Sequence, residues 1–218
     1  MDHSAHIEAR DLNEAYFLTL QQCLLRGKMY ELKCSSTQAK RLELDVLSGT
    51  IIHPGCRPLI PTFPQGMTPP FDNEYLENYL GYFLTTDKKH GEHYTYGQYI
   101  VPQIEKMIKY YKKHGQNKHC YISIGDAKSF DAYNEQGGTS PCLRGIDTKI
   151  SEGSLSFNII FRSWNLYNGF PLNLAALQLV KEYMSESIGC KDGQMHFSCL
   201  KAGIVESCIP SAEQFMGR

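Results

Sequence analysis

Apolar residues recur at helical spacing over 8–29, where Ala15, Leu18, Leu20, Leu24 and Leu25 precede Gly27. This pattern predicts a first helix with a glycine stop. From 41 to 52 the period drops to two, with Leu42, Leu44 and Val46 alternating with polar neighbours, which predicts a strand. Six prolines between His53 and Pro70 lack donors and fix φ, so that stretch is a connecting loop. Helical spacing returns over 72–85, with Asp72 placed to cap it. It returns again over 99–113, where Ile100, Ile104, Met107, Ile108 and Tyr111 share one face and lysines the other. His119 to Ile124 reads as a short strand, followed by a Gly/Ser/Asn-rich stretch to Pro141. Ile146, Thr148 and Ile150 alternate, as do Leu155, Phe157, Ile159 and Phe161, with Ser-Glu-Gly-Ser between them. That is a β-hairpin. The strongest helical stripe (Leu172, Ala176, Leu179, Val180, Tyr183, Met184) runs from Leu172 to Ile188 and stops at Gly189. It reads as core. With no internal repeat or linker, these elements predict one domain over 1–218. Interleaved strands and helices with a hairpin predict a mixed α/β (α+β) sheet with helices packed on it.

Composition narrows the classes of function. The chain has 218 residues, 42% apolar and 21% charged, with a net charge of -1. It is an ordinary globular balance, with no basic field for nucleic acid or an anionic membrane. No apolar run approaches the roughly 20 residues needed to span a bilayer. The N-terminal stretch has no basic segment followed by an apolar one, so the expected compartment is the cytoplasm. Eight cysteines without a CxxC pair then read as reduced thiols rather than a disulfide framework or a zinc site. His90 and His93 flank Gly91 as an HxxH that reads as a surface loop rather than a metal site.

Three features carry chemistry. Pro141-Cys142 opens the hairpin, Phe161-Arg162-Ser163-Trp164 closes it, and Gly169-Phe170-Pro171-Leu172-Asn173 opens the long helix. A cation beside a thiol favours the thiolate, which is the nucleophile. A guanidinium also offers a fork of donors to phosphate. An amide such as Asn173 both donates and accepts, and so can match the O4 and N3–H edge of uracil. Together these are parts of a site that holds a nucleotide and attacks its base.

The spacing PCLRGID…FRSWNLYNGFPLNLAALQL resembles the core signature of the thymidylate synthase family, strongly over 139–190. That signature is a Pro-Cys nucleophile, Arg-Ser-x-Asp, then Gly-x-Pro-x-Asn-x-Ala. Tyr96-Gly97 matches the family's Tyr-Gly step. RLELDVLSG, RPLIP and Leu143 resemble its short archaeal-type branch. The resemblance implies a thymidylate synthase-like fold and a homodimer that packs its sheets face to face. Cys142 would attack C6 of a pyrimidine nucleotide, Arg162 and Ser163 would hold its phosphate, and Asn173 would read its base. Tyr96 would assist removal of the C5 proton, with Glu77 as a partner in that network. A reduced pterin, methylene-tetrahydrofolate or methylene-tetrahydromethanopterin, would carry the one-carbon unit. The implied product is dTMP from dUMP. The alternatives are hydroxymethylation of dUMP, UMP or CMP in a specialised nucleoside pathway, and a nucleotide-binding relative without catalysis.

The chain departs from the pattern at several positions. Asn165 stands where the family has the carboxylate that meets the pterin, and Phe161 where it has Gln. Lys118 and His119 stand where the partner subunit usually lends two arginines. The His-x-Tyr pair that holds the sugar is absent from Lys201-Ala-Gly-Ile-Val-Glu206. Glu206 could accept from ribose hydroxyls there, which implies an altered sugar preference.

Overall fold

The computed structural model describes residues 3–32, 39–63, 65–71, 73–115, 118–129 and 140–217. Asp72, Pro64, Cys34 and most of the Gly/Ser/Asn-rich stretch after Ile124 lie outside the described residues. The chain is mixed α/β, as the interleaved pattern predicts. A six-stranded sheet has the order β1-β4-β9-β7-β6-β5, and a four-stranded sheet the order β2-β3-β10-β8.

The N-terminus departs from the sequence expectation. Residues 4–9 form strand β1 (Ser4–Ala9), whose buried Ala5, Ile7 and Ala9 alternate with polar residues. Helix α1 (Leu12–Arg26) starts only after Asp11, whose carboxylate accepts the Glu14 N–H at 2.9 Å. The strand expected over 41–52 is two strands. After β2 (Lys28–Leu32), β3 (Ala39–Leu44) pairs antiparallel with β2 in the small sheet. Past Asp45, β4 (Val46–Ile51) pairs parallel with β1 in the large one. Strand periodicity is blind to this split, because it counts residues and not sheets.

Helix α2 spans Asn73–Leu84 and α3 Gly97–His114. The edge strand β5 (Tyr121–Ser123) pairs with β6 (Leu143–Ser151), which turns into β7 (Ser154–Phe161). Glu152 and Gly153 take φ of 51° and 74°, the two left-handed residues that a twist-matched two-residue hairpin turn requires. After β8 (Trp164–Asn165), α4 runs Gly169–Ile188, with Pro171 in its first turn, where no intrahelical N–H is needed. Gly189, at φ 87°, ends it. The centre of the large sheet is β9 (Lys191–Cys199), with Met195, Phe197 and Cys199 inward. Strand β10 (Ala202–Val205), a 3-10 turn (Glu206–Cys208) and α5 (Ile209–Phe215) follow.

One face of the large sheet carries Leu47, Ile51, Ile146, Phe157, Ile159 and Phe197 into the core under α4. Tyr111 of α3 ties that helix to β6 through a 3.0 Å bond to the Thr148 carbonyl. The alternate positions on the other face are mostly polar, with Val46, Tyr121 and Ile160 among them. They include His6, bonded to Ser48 at 2.9 Å, and Thr50, bonded to His196 at 3.0 Å. A shallow 490 Å³ depression lies on that face between Asp147, Lys149, Asn158, Gln194 and His196.

Candidate active site

The hairpin register sets Cys142 beside Arg162. Leu143 pairs with Phe161, and the ladder continues as the Arg162 N–H donates to the Cys142 carbonyl at 2.9 Å. The Arg162 side chain then turns back. Its Nε donates to the Pro141 carbonyl at 3.1 Å and its Nη2 to the Ser140 carbonyl at 2.7 Å. One guanidinium therefore holds the backbone that presents the thiol. Cys142 is half-buried, whereas Cys23, Cys120 and Cys199 are buried. Burial pushes the Cys199 thiol up to about 12 and Cys23 likewise to about 12, which keeps both as inert thiols.

Four tyrosines crowd the other side of Cys142. Tyr79 and Tyr82 come from α2, Tyr94 and Tyr96 from the segment leading into α3. The ring centroids of Tyr82 and Tyr96 lie 5.2 Å apart, those of Phe83 and Tyr96 4.6 Å, and those of Tyr94 and Tyr96 5.5 Å. The Tyr96 hydroxyl accepts the Leu143 N–H at 3.3 Å, and the Tyr94 hydroxyl is bonded to the Cys142 backbone. Burial drives all four phenols above their ordinary value of 10, so each is neutral near pH 7 and available as a donor. Gly97 lets this segment approach, since a Cβ there would stand 2.1 Å from the Thr85 carbonyl oxygen.

The third wall is the start of α4. The Trp164 ring stacks on Phe161 at 3.9 Å and its Nε1–H donates to Asn173 Oδ1 at 2.8 Å. Asn173 Nδ2 donates in turn to the Tyr79 hydroxyl. Asn165 is folded onto its own loop, its Oδ1 accepting the Tyr167 N–H at 3.1 Å. Ser163 Oγ accepts from Arg41 Nη1 at 3.2 Å. Arg41 comes from β3; its Nη2 also donates to the Trp164 carbonyl at 2.8 Å, and its Nη1 lies 3.6 Å from Glu43.

The structure thus brings Cys142, Arg162, Tyr96 and Asn173 into one cluster, with Ser163 joined to it through Arg41. Glu77, Lys118, His119 and Glu206 are exposed. Glu77 stands two residues from Tyr79, roughly 200° round the helix. Lys118 and His119 precede β5, and Glu206 opens the turn after β10. His90 and His93 are exposed in a loop, and no group of three or more ligand side chains suited to a metal occurs among the described residues. Sequence reasoning missed Tyr79, Tyr94, Trp164 and Arg41. The tyrosine stripe was visible as Tyr75, Tyr79 and Tyr82 at helical spacing, stacked at 6.1 and 6.0 Å. Arg41 left no local signal of its place in the site, because its hydrogen-bond partners Ser163 and Trp164 are more than 120 residues away.

No protein-family model matches the chain. It is 26% identical over 173 residues to a protein of Methanothermobacter marburgensis named "Putative thymidylate synthase", covering 77% of this chain and 74% of that one. A protein of the same name from Methanothermobacter thermautotrophicus is 26% identical over 149 residues, covering 66% of this chain and 65% of the relative. A third, from Methanosarcina mazei, is 28% identical over 133 residues, covering 56% and 58%. The chain therefore spans less than two thirds of the length of the latter two. The chain is thus similar, at 26–28% identity, to proteins named as thymidylate synthases, and it carries the Cys142 hairpin described above.

Proposed function

We propose that the protein transfers a one-carbon unit to C5 of a pyrimidine nucleotide, converting dUMP to dTMP. The observation that carries this reading is the half-buried Cys142, with its backbone held by Arg162 on one side and by the phenols of Tyr94 and Tyr96 on the other. Attack of the Cys142 sulfur on C6 pushes the C5–C6 electron pair toward the C4 carbonyl oxygen and makes C5 a carbon nucleophile. Asn173 faces the base and Tyr96 belongs to the path that takes the C5 proton. Arg162 and Ser163 receive the phosphate, and Glu206 meets the sugar.

A reduced pterin, methylene-tetrahydrofolate or methylene-tetrahydromethanopterin, supplies the one-carbon unit when bound. The chain offers it a fitting surface. Tyr75, Tyr79 and Tyr82 line a 280 Å³ cavity with Asn78, Lys89 and Glu92. Stacked rings suit a flat heterocycle, and Lys89 suits an acidic tail. Asn165 is the amide counterpart of the family's pterin carboxylate. The polar face of the large sheet supports a homodimer, in which Lys118 and His119 of one protomer serve the phosphate of the other. No described helix is long and apolar enough to cross a membrane, and a cytoplasmic enzyme fits this reading.

Asn165 favours a second reading. An amide already engaged by the Tyr167 N–H cannot reproduce a carboxylate at the pterin. That points to hydroxymethyl transfer, with water in place of hydride, on dUMP, UMP or CMP. Tritium release from C5-labelled dUMP and CMP, with either pterin, tests both readings. Release that Cys142→Ser abolishes, with a methyl product, supports the synthase, and a hydroxymethyl product the second reading. Nucleotide binding without Cys142-dependent release from any labelled substrate would leave only a non-catalytic relative.

A further inference from the structure

An asparagine amide looks symmetrical in outline, but its two ends have opposite hydrogen-bonding character. Which end faces which way is set by its neighbours. The indole Nε1–H of Trp164 is a donor only, so the atom of Asn173 that meets it at 2.8 Å must be the carbonyl oxygen. The other end, Nδ2, then meets the Tyr79 hydroxyl, which must accept. Asn173 is 4% exposed and Trp164 2%, so no bulk water competes for either bond. Tyr79 alone could not impose this order, because a phenol both donates and accepts. Trp164 alone can. After both bonds are made, the amide retains one acceptor and one donor in a fixed order.

That order matters for a pyrimidine. Uracil presents an acceptor at O4 next to a donor at N3–H. Cytosine presents the reverse, a donor at N4 next to an acceptor at N3. An amide turned one way matches one base and opposes the other. We infer that Trp164, through its indole N–H, locks Asn173 in one orientation and so determines which pyrimidine base the site accepts. Trp164 is then a positioning residue that acts through Asn173 without touching the base. The inference rests on the reading that Asn173 faces the base of a bound nucleotide.

Trp164 is the single tryptophan of the chain, which permits a substitution that keeps its shape. Protein made with benzothienylalanine in place of tryptophan carries sulfur where the N–H was. It keeps the stacked ring that Trp164→Phe partly loses. Dissociation constants for dUMP and dCMP are measured by calorimetry on wild type, the analogue-bearing protein, Trp164→Phe and Tyr79→Phe. Wild type is expected to separate the two nucleotides by at least about tenfold, and the analogue-bearing protein to lose about tenfold of that ratio. Trp164→Phe should follow the analogue, and Tyr79→Phe should weaken both nucleotides while keeping the ratio. An unchanged ratio in the analogue-bearing protein overturns the inference, as does a wild type that binds both nucleotides equally. A wild type that binds neither nucleotide overturns the pyrimidine reading itself, and the inference with it.

Discussion

The Tyr96 hydroxyl accepts the backbone N–H of Leu143 at 3.3 Å, one residue past the cysteine. The bond joins the segment before α3 to the first rung of β6, and both groups are buried. Tyr96→Phe leaves that N–H without a partner, at a cost of about 1–3 kcal/mol. It also removes a hydroxyl from the proposed proton path. The expected result is a fall in C5 tritium release of about 10²-fold or more with nucleotide affinity little changed. Equal loss of affinity and turnover would assign Tyr96 to binding alone.

Gly97 is the residue that permits this contact. Gly97→Ala places a methyl 2.1 Å from the Thr85 carbonyl oxygen. Backbone cannot rotate away as a side chain can, so the segment must shift. The expected cost is about 1–3 kcal/mol, or roughly 2–10 °C in Tm for a chain of this size. Calorimetry of Gly97→Ala against Gly91→Ala checks that the packing itself is responsible. Gly91 has open space around it but φ of 85°, so its substitution reports backbone strain alone.

Glu43 gives stability a defined dependence on pH. Burial raises its carboxyl above the ordinary 4.5, and Arg41 only partly opposes that. A carboxyl with a raised folded-state value binds protons more tightly in the folded chain. Stability is therefore lost as pH rises from 4.5 through the raised value. Glu43→Gln removes this slope, and its stability above pH 4.5 should be flatter than that of the wild type in urea titrations. Arg41→Met should instead cost about 1–3 kcal/mol, because it removes the donors to Ser163 and the Trp164 carbonyl and the nearest cation to Glu43.

Thiol accessibility should separate the cysteines. Cys142 is half-buried and Cys56 exposed, whereas Cys199 and Cys23 are buried with thiols pushed up to about 12. Iodoacetamide at pH 8, followed by peptide mass mapping, should modify Cys142 and Cys56 well before Cys199 and Cys23. A saturating pyrimidine nucleotide should protect Cys142 and not Cys56. Equal labelling of all four would show that the fold opens under the assay conditions.

The hairpin and the long helix were legible because each is local. Ser151 to Ser154 specify a tight turn, and Leu172 to Met184 a stripe, over spans shorter than a few turns of chain. The same locality exposed the Cys142, Arg162 and Asn173 spacing. Helix limits were less legible. Asp11 caps α1 later than the start at residue 8 that was expected, because Glu8 and Ala9 finish strand β1, whose Ala5, Ile7 and Ala9 alternate at period two.

By itself, the sequence picked out the candidate nucleophile, the cation beside it and the amide that follows, since these sit on a continuous run from 141 to 173. Only the tertiary structure decided what surrounds them. It parted 41–52 between two sheets at Asp45, carried Arg41 across 122 residues to Ser163, and set Tyr79 rather than Glu77 against Asn173. The physical reason is common to all three. A side chain's hydrogen bonds are set by what burial brings within 3 Å, and burial depends on sheet order and helix rotation, which local periodicity does not encode.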